Sequence, residues 1–277
     1  MTPDEYCRQK AAASGSSFYY SFLFLAPERR RAITALYAFC REVDDVVDEC
    51  ADPQLARTKL AWWRAEISNL YEGAPNHPVS RALHPHLSTF GIRKEQLNEI
   101  IEGMEMDLAQ TRYLDFAALE KYCYHVAGAV GLLAAGIFGY RDPRTLEYAK
   151  QLGTAFQLTN IIRDVGEDAR KNRIYLPIDE LQRFGVTAAD ILNRAYTEPF
   201  ARLMAFQAQR AISFYEKAMQ SLPAQDRRAQ RAGLIMAAIY RATLAEIERD
   251  GFKVLDRRTS LTPLRKLWIA WKTWIAA

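Results

Sequence analysis

Residues 37–49 read Y-A-F-C-R-E-V-D-D-V-V-D-E, and their spacing decides the fold. On a helix Tyr37, Arg41, Asp44 and Asp48 recur at intervals of four, three and four, so their side chains stack along one face. A neighbouring stripe of Ile33, Leu36, Cys40, Val43 and Val47 keeps the same period and is apolar, which sets the acidic row at the border of a buried interior. Two carboxylates ~6 Å apart repel by roughly 3 kcal/mol at an effective dielectric of 20, before desolvation is counted. The pattern asks for a positive partner.

Residues 153–177 repeat the device: G-T-A-F-Q-L-T-N-I-I-R-D-V-G-E-D-A-R-K-N-R-I-Y-L-P. Gly153, Gln157, Asn160, Asp164 and Asp168 share one helical face, flanked by the apolar Leu158, Ile161, Ile162 and Val165. Arg163, Arg170, Lys171 and Arg173 crowd the far end with cations. Facing each other, the two rows present four carboxylates and an amide across a cleft. Oxygen donors on separate rigid helices, completed by water and phosphate, describe a site for Mg²⁺ carrying a diphosphate. One acidic row alone reads as a solvated face. Two rows, each beside an apolar stripe, are harder to read that way.

A third stretch, residues 115–139, puts Tyr122, Val126, Ala129 and Leu133 on one stripe, while Ala127, Gly128, Gly131 and Ala135 keep another side small. Glycine inside a helix costs about 1 kcal/mol, so several of them imply close approach by another backbone or by an apolar ligand tail. The aromatic run from Phe18 to Leu25 is core or a wall for a large apolar ligand, with Ser16 and Ser17 near an anionic head group.

Working outward, helical patterns cover residues 4–13, 27–50, 54–72, 93–107, 115–139, 187–194, 199–222, 226–250 and 264–275, with the second acidic helix starting after Asp142-Pro143. Thr187 and Asp190 have capping-box spacing. No alternating strand pattern or internal repeat occurs, so the reading is one all-α domain over residues 1–277, a helical bundle around a central cavity. The last helix places Leu264, Leu267, Trp268, Trp271, Trp274 and Ile275 on one side, either packed on the body or lying in a membrane interface.

The 277 residues are 49% hydrophobic and 25% charged, ordinary globular values that exclude general disorder. A net charge of +4 suits an anionic small substrate or an acidic lipid surface and lacks the basic clustering of a nucleic-acid binder. The four cysteines have no zinc spacing, and His77, His84 and His86 fall in or near loops, as structural residues do. With no basic segment at the start, the expected location is the cytoplasm, with peripheral contact at the inner membrane face. The longest uncharged apolar run, residues 126–140, is fifteen residues, short of the ~20 that span a bilayer, and is expected to be a core helix. Glycine-rich dinucleotide and Walker patterns are absent, so no nucleotide cofactor is expected.

The two aspartate stretches, with Y-C-Y-H-V-A-G-A-V-G at 122–131, resemble the motifs of the squalene and phytoene synthase family of head-to-head prenyltransferases, over essentially the whole chain. Within it, K-A-A-A-S-G-S-S-F-Y-Y-S-F at 10–22 and F-K-V-L-D-R-R-T-S-L-T-P-L-R-K-L at 252–267 look most like the branch that makes presqualene diphosphate for hopanoid synthesis. The resemblance implies that Asp44, Asp48, Asn160, Asp164 and Asp168 bind Mg²⁺, and that Arg41, Arg163, Lys171, Tyr240 and Arg257 reach diphosphate oxygens. It implies Phe18, Phe22, Val126, Gly131, Gly153 and Gln157 along the prenyl channels, Ser17, Tyr37 and Tyr175 at the head groups, and Tyr122 at the reacting carbons. The substrates would be two farnesyl diphosphates, and the product would feed the enzymes of a squalene pathway. The alternatives are a phytoene or dehydrosqualene synthase, or a squalene synthase using NADPH. A head-to-tail elongase would repeat D-D-x-x-D, a terpene cyclase would carry Asn, Ser and Glu in its second motif, and a noncatalytic scaffold would tolerate loss of Asp44 or Asp164.

Overall fold

Proline and short polar side chains set the helix starts. In the computed structural model, which describes residues 1–13, 18–50 and 52–276, Pro27 sits in the first turn of its helix, where a missing N–H costs nothing. The expectations for Ser16 and Ser17 lie outside the described residues. The first half of the chain forms α1 (Pro3–Ala13), α2 (Phe18–Phe22), α3 (Pro27–Glu49), α4 (Pro53–Tyr71), α5 (Pro78–Leu83), α6 (Leu87–Phe90) and α7 (Lys94–Ala109). Next come α8 (Phe116–Cys123), one π turn (Tyr124–Gly128), α9 (Ala129–Phe138) and α10 (Arg144–Arg170). The remainder is α11 (Ile178–Phe184), α12 (Ala188–Leu192), α13 (Glu198–Ser221), α14 (Arg231–Arg249) and α15 (Pro263–Ala276). Asp52 caps α4 by accepting from the Gln54 amide at 2.8 Å, and Thr187 and Asp190 form the reciprocal capping box that their spacing suggested. Gly251, at φ 68°, takes the left-handed position that ends α14.

The all-α expectation holds. Among the described residues no strand forms, and the single exception to helix and loop is an isolated parallel bridge from Arg112 to Ile174. That bridge ties the segment after α7 to the connector after α10, with Ile178 and Asp179 donating to the carbonyls of Tyr113 and Leu114.

The 27 residues of α10, ~40 Å at 1.5 Å per residue, form the axis on which the rest is mounted. Apolar side chains segregate into two cores. One gathers α10, α13 and α14; the other gathers α3, α4, α7 and much of α9, with Phe18 and Val126 packed against both. The helical run Phe116–Phe138 lies between them. Its 23 residues exceed the uncharged stretch visible in the sequence and, at mean hydropathy 1.2, are long and apolar enough to cross a membrane by length and composition. Half of that window is buried inside the protein, with Leu119 and Tyr122 in one core and Leu133 and Ile137 in the other.

Two glycines explain how these helices come so close. A Cβ on Gly131 would lie 2.4 Å from the Ala149 carbonyl oxygen, and one on Gly153 would lie 2.4 Å from that of Ala127. Backbone therefore fills the space beside both. Gly131 and Gly153 border the cavity, yet what forbids a side chain there is the contact between α10 and the π turn and α9.

Candidate functional site

Between the two cores lies a cavity of about 1050 Å³, at or above the upper end of the ~300–1,000 Å³ usual for small-molecule sites. Both acidic rows line it: Tyr37, Arg41, Asp44 and Asp48 from α3, and Gly153, Gln157, Asn160, Asp164 and Asp168 from α10. Each row ends in the last turns of its helix, and the two ends meet. Lys171 Nζ lies 3.1 Å and Arg173 Nη1 3.0 Å from Asp48 Oδ1, joining the end of α3 to the segment after α10. Earlier turns of the same helices supply Ile33, Leu36, Tyr148, Leu152 and Phe156, so the cavity runs from a charged end to an apolar one. Phe18, Phe22 and Val126 also lie on its wall. Phe18 packs 5.3 Å from Tyr37 and 6.3 Å from Tyr240, ring centre to ring centre, and Tyr240 sits 4.7 Å from Phe156.

The charged end is electrostatically uncomfortable. Four carboxylates lie in the last two turns of α3 and α10, and Asp48 and Asp168 sit in the final turn, where each helix dipole is already negative. Burial, reinforced by Asp48 and Asp45, pushes Asp44 up to about 6 despite Arg41. Burial and then Asp164 push Asp168 up to about 8, against the pull of Arg173. Basic side chains answer much of this charge. Arg41 forks between Asp44 and Asp45, Arg163 Nε donates to Asp164 Oδ1 at 2.7 Å, and Arg258 Nε donates to the same oxygen at 2.9 Å.

The donor set is all oxygen, which suits a hard divalent cation. One atom points the same way: Asn160 Oδ1, on a residue that borders the cavity, is buried with no hydrogen-bond partner among the described residues. Among the described residues no three His, Cys, Asp or Glu side chains gather closely enough to hold an ion by themselves. The carboxylates are divided between two helices, so an ion there needs oxygens from what it binds, as a metal bridging a diphosphate has.

The structure corrects one expected residue. Arg257 turns outward to Asp250, while Arg258 borders the cavity and pairs with Asp164. The reason is local: residues 257–262 are not helical, so no period tells which of the adjacent arginines faces in. The loop is held by α10, where a Cβ on Gly166 would meet the Leu255 carbonyl oxygen at 2.2 Å. Tyr175 also departs from expectation. Its hydroxyl donates to Asp107 at 2.9 Å, and its ring stacks on Tyr122 at 5.2 Å. Asp107 itself, buried at 8% exposure on the cavity wall, was not singled out by the sequence, because on α7 it has no second carboxylate at helical spacing on the cavity side.

A long helical cavity with an acidic, cation-rich end and an apolar remainder defines a binder of amphiphiles with anionic heads. The squalene/phytoene synthase family model matches residues 11–265. A phytoene synthase of Arthrospira platensis is 36% identical over 276 residues, covering 95% of this chain and 89% of that relative. The crystal structure of a dehydrosqualene synthase in complex with ligand superposes with a TM-score of 0.88 at 30% identity, over 98% of this chain and 95% of that one. That of a squalene synthase from Alicyclobacillus acidocaldarius gives 0.81 at 30% identity, over 90% and 94%. The chain belongs to the squalene/phytoene synthase family and is an enzyme of the head-to-head prenyltransferase type. The expected specialisation in presqualene diphosphate is corrected: the curated relatives at 35–36% identity are phytoene synthases, so the end segments 10–22 and 252–267 were too weak a signature for the narrower assignment.

Proposed function

We propose that this protein is a phytoene-type synthase, joining two isoprenoid diphosphates head to head, with geranylgeranyl diphosphate as the substrate. The observation that carries the reading is the pair of aspartate rows meeting at one end of a large cavity whose other end is apolar. Identity to phytoene synthases across nearly the whole chain supports the C20 choice.

Asp44, Asp48, Asn160, Asp164 and Asp168 would hold Mg²⁺, which supplies charge neutralisation for a departing diphosphate. Arg41, Arg163, Lys171 and Arg258 border the same end and would exchange their carboxylate partners for diphosphate oxygens. Tyr240 lies against Arg163 and would share that task. As the carbon–oxygen bond breaks, its electron pair leaves with the diphosphate and an allylic cation remains. Phe18, Phe22, Val126, Phe156 and Gln157 would hold the prenyl chains and keep water from that cation until the double bond of the second substrate attacks it. The adduct then loses a proton to the released diphosphate, and the second diphosphate leaves with its own electron pair before a second proton is lost to give the neutral C40 product. Tyr122, deep on the wall, would face the positive carbon.

The partner surface is part of the same proposal. On α15 only Ala270 is buried, while Leu264 is 80%, Trp268 60% and Trp271 49% exposed beside Arg265 and Lys272. Phe24 extends the patch through its contact with Trp274. Tryptophan flanked by cations fits the interface of an anionic lipid surface, the natural source and sink of such apolar molecules.

The test is product identification by mass after incubation with Mg²⁺ and either geranylgeranyl or farnesyl diphosphate. A C40 hydrocarbon from the C20 substrate is expected; turnover of the C15 substrate alone would overturn the assignment.

A further inference from the structure

Asp107 occupies an expensive position. It lies in the last turn of α7, at the negative end of that helix, is 8% exposed, and has Asp48 near enough to add repulsion. Among the described residues no arginine or lysine is bonded to it; Arg173 acts on it from a distance. Its partners are two phenols. Tyr122 Oη donates to Oδ2 at 2.8 Å and Tyr175 Oη donates to Oδ1 at 2.9 Å, one to each carboxylate oxygen.

Three remote segments build this clamp. Tyr122 lies in the last turn of α8, Tyr175 follows α10, and the bridge between Arg112 and Ile174 brings the second beside the first. Their rings stack at 24°, and Tyr113 covers Tyr175 at 5.8 Å and 22°. Tyr122, Tyr175 and Asp107 all border the cavity. A hydroxyl that has committed its proton to a carboxylate offers only lone pairs and an enriched ring to anything else. Such a surface repels phosphate and attracts a cation.

We propose that Asp107 is a positioning residue for the condensation: by taking the hydroxyl hydrogen bonds of Tyr122 and Tyr175 it holds both phenols, with electron-rich oxygens and rings, in place on the cavity wall. The proposal rests on the head-to-head reading above, since its consequence is stabilisation of the allylic cation. It removes Tyr175 from the diphosphate site and gives it to the carbon end of the reaction.

The experiment is Asp107→Asn, alone and with Tyr122→Phe, assayed with prenyl diphosphate and Mg²⁺. Asparagine keeps the shape but accepts from only one phenol. Asp107→Asn should lower kcat on the order of 10–100-fold, change KM by less than about threefold, and leave the melting temperature equal or higher. In the Tyr122→Phe background most of its effect should vanish. Unchanged kcat, a loss carried by KM, independent losses in the double variant, or a fall in melting temperature matching the activity loss would overturn the proposal. A second readout needs no turnover: ultraviolet resonance Raman difference spectra of wild type minus Tyr122→Phe should show a strong phenol donor, and the same difference in an Asp107→Leu background, which offers neither phenol an acceptor, should not. If the wild type consumes no prenyl diphosphate, the functional reading fails, and this signature alone decides the clamp; its persistence without Asp107 overturns it.

Discussion

Two buried carboxylates in this protein behave in opposite ways. Glu180 on α11 is 6% exposed and fully answered: Arg210 grips both oxygens, Gln207 donates at 2.6 Å, and the same guanidinium lies 3.9 Å above the Phe116 ring. Asp107 is as deeply buried, but it faces a cavity, and among the described residues its hydrogen bonds come from two phenols, with Arg173 acting only from a distance. The first charge is neutralised inside the fold and serves to fasten α11 to α13. The second is left for the site to use. A buried charge by itself says little; whether its countercharge is built in separates fastening from function.

The largest test of that contrast lies at the acidic rows, where Asp44 and Asp168 stay raised despite the cations around them. Asp44→Asn and Asp168→Asn should each lower turnover by about a thousandfold or more while leaving the melting temperature unchanged or raised, since each removes repulsion with a ligand. Diphosphate release and thermal unfolding would check both, and a collapsed fold would break the comparison. Glu180→Ala should do the reverse, costing about 3–5 kcal/mol of stability by stranding Arg210, with kcat of the folded fraction preserved. Denaturant unfolding measures it.

Asp107 supplies a pH test. Burial pushes its carboxyl up to about 6 from an ordinary value of 3.8. Between these values the folded state binds more protons than the unfolded one, so this group makes stability fall as pH rises through that window. The full penalty is present above the folded value. Asp107→Asn should flatten the stability profile between about pH 4 and pH 7 and gain on the order of 1–3 kcal/mol at neutrality. A profile with the wild-type slope would remove Asp107 from the costly class. The smallest expected effect separates neighbours: Arg258→Ala should weaken diphosphate substrate binding about tenfold, and Arg257→Ala should leave it unchanged, read from KM. Equal losses would mean that the loop after α14 does not hold the orientation seen here.

Periodicity made most of the helices and the two aspartate rows legible, because a side chain's face follows from its spacing along a helix of 3.6 residues per turn. Arg257 was misplaced because the segment from 257 to 262 has no such period. Gly131 and Gly153 could be read as small but not as touching backbone, since nothing in one helix names its neighbour. The end segments 10–22 and 252–267 suggested a product that relatives across the whole chain do not support.

By itself, then, the sequence determined that α3 and α10 each carry oxygen donors on one face beside an apolar stripe, and that the chain is all-α. Only the tertiary structure decided that these faces meet at the same end, that Arg258 rather than Arg257 joins them, and that Tyr122 and Tyr175 share Asp107. The physical reason is range. Helical geometry fixes relations over a few residues, whereas Asp107, Tyr122 and Tyr175 are brought together by the packing of distant helices and one backbone bridge, which no local pattern encodes.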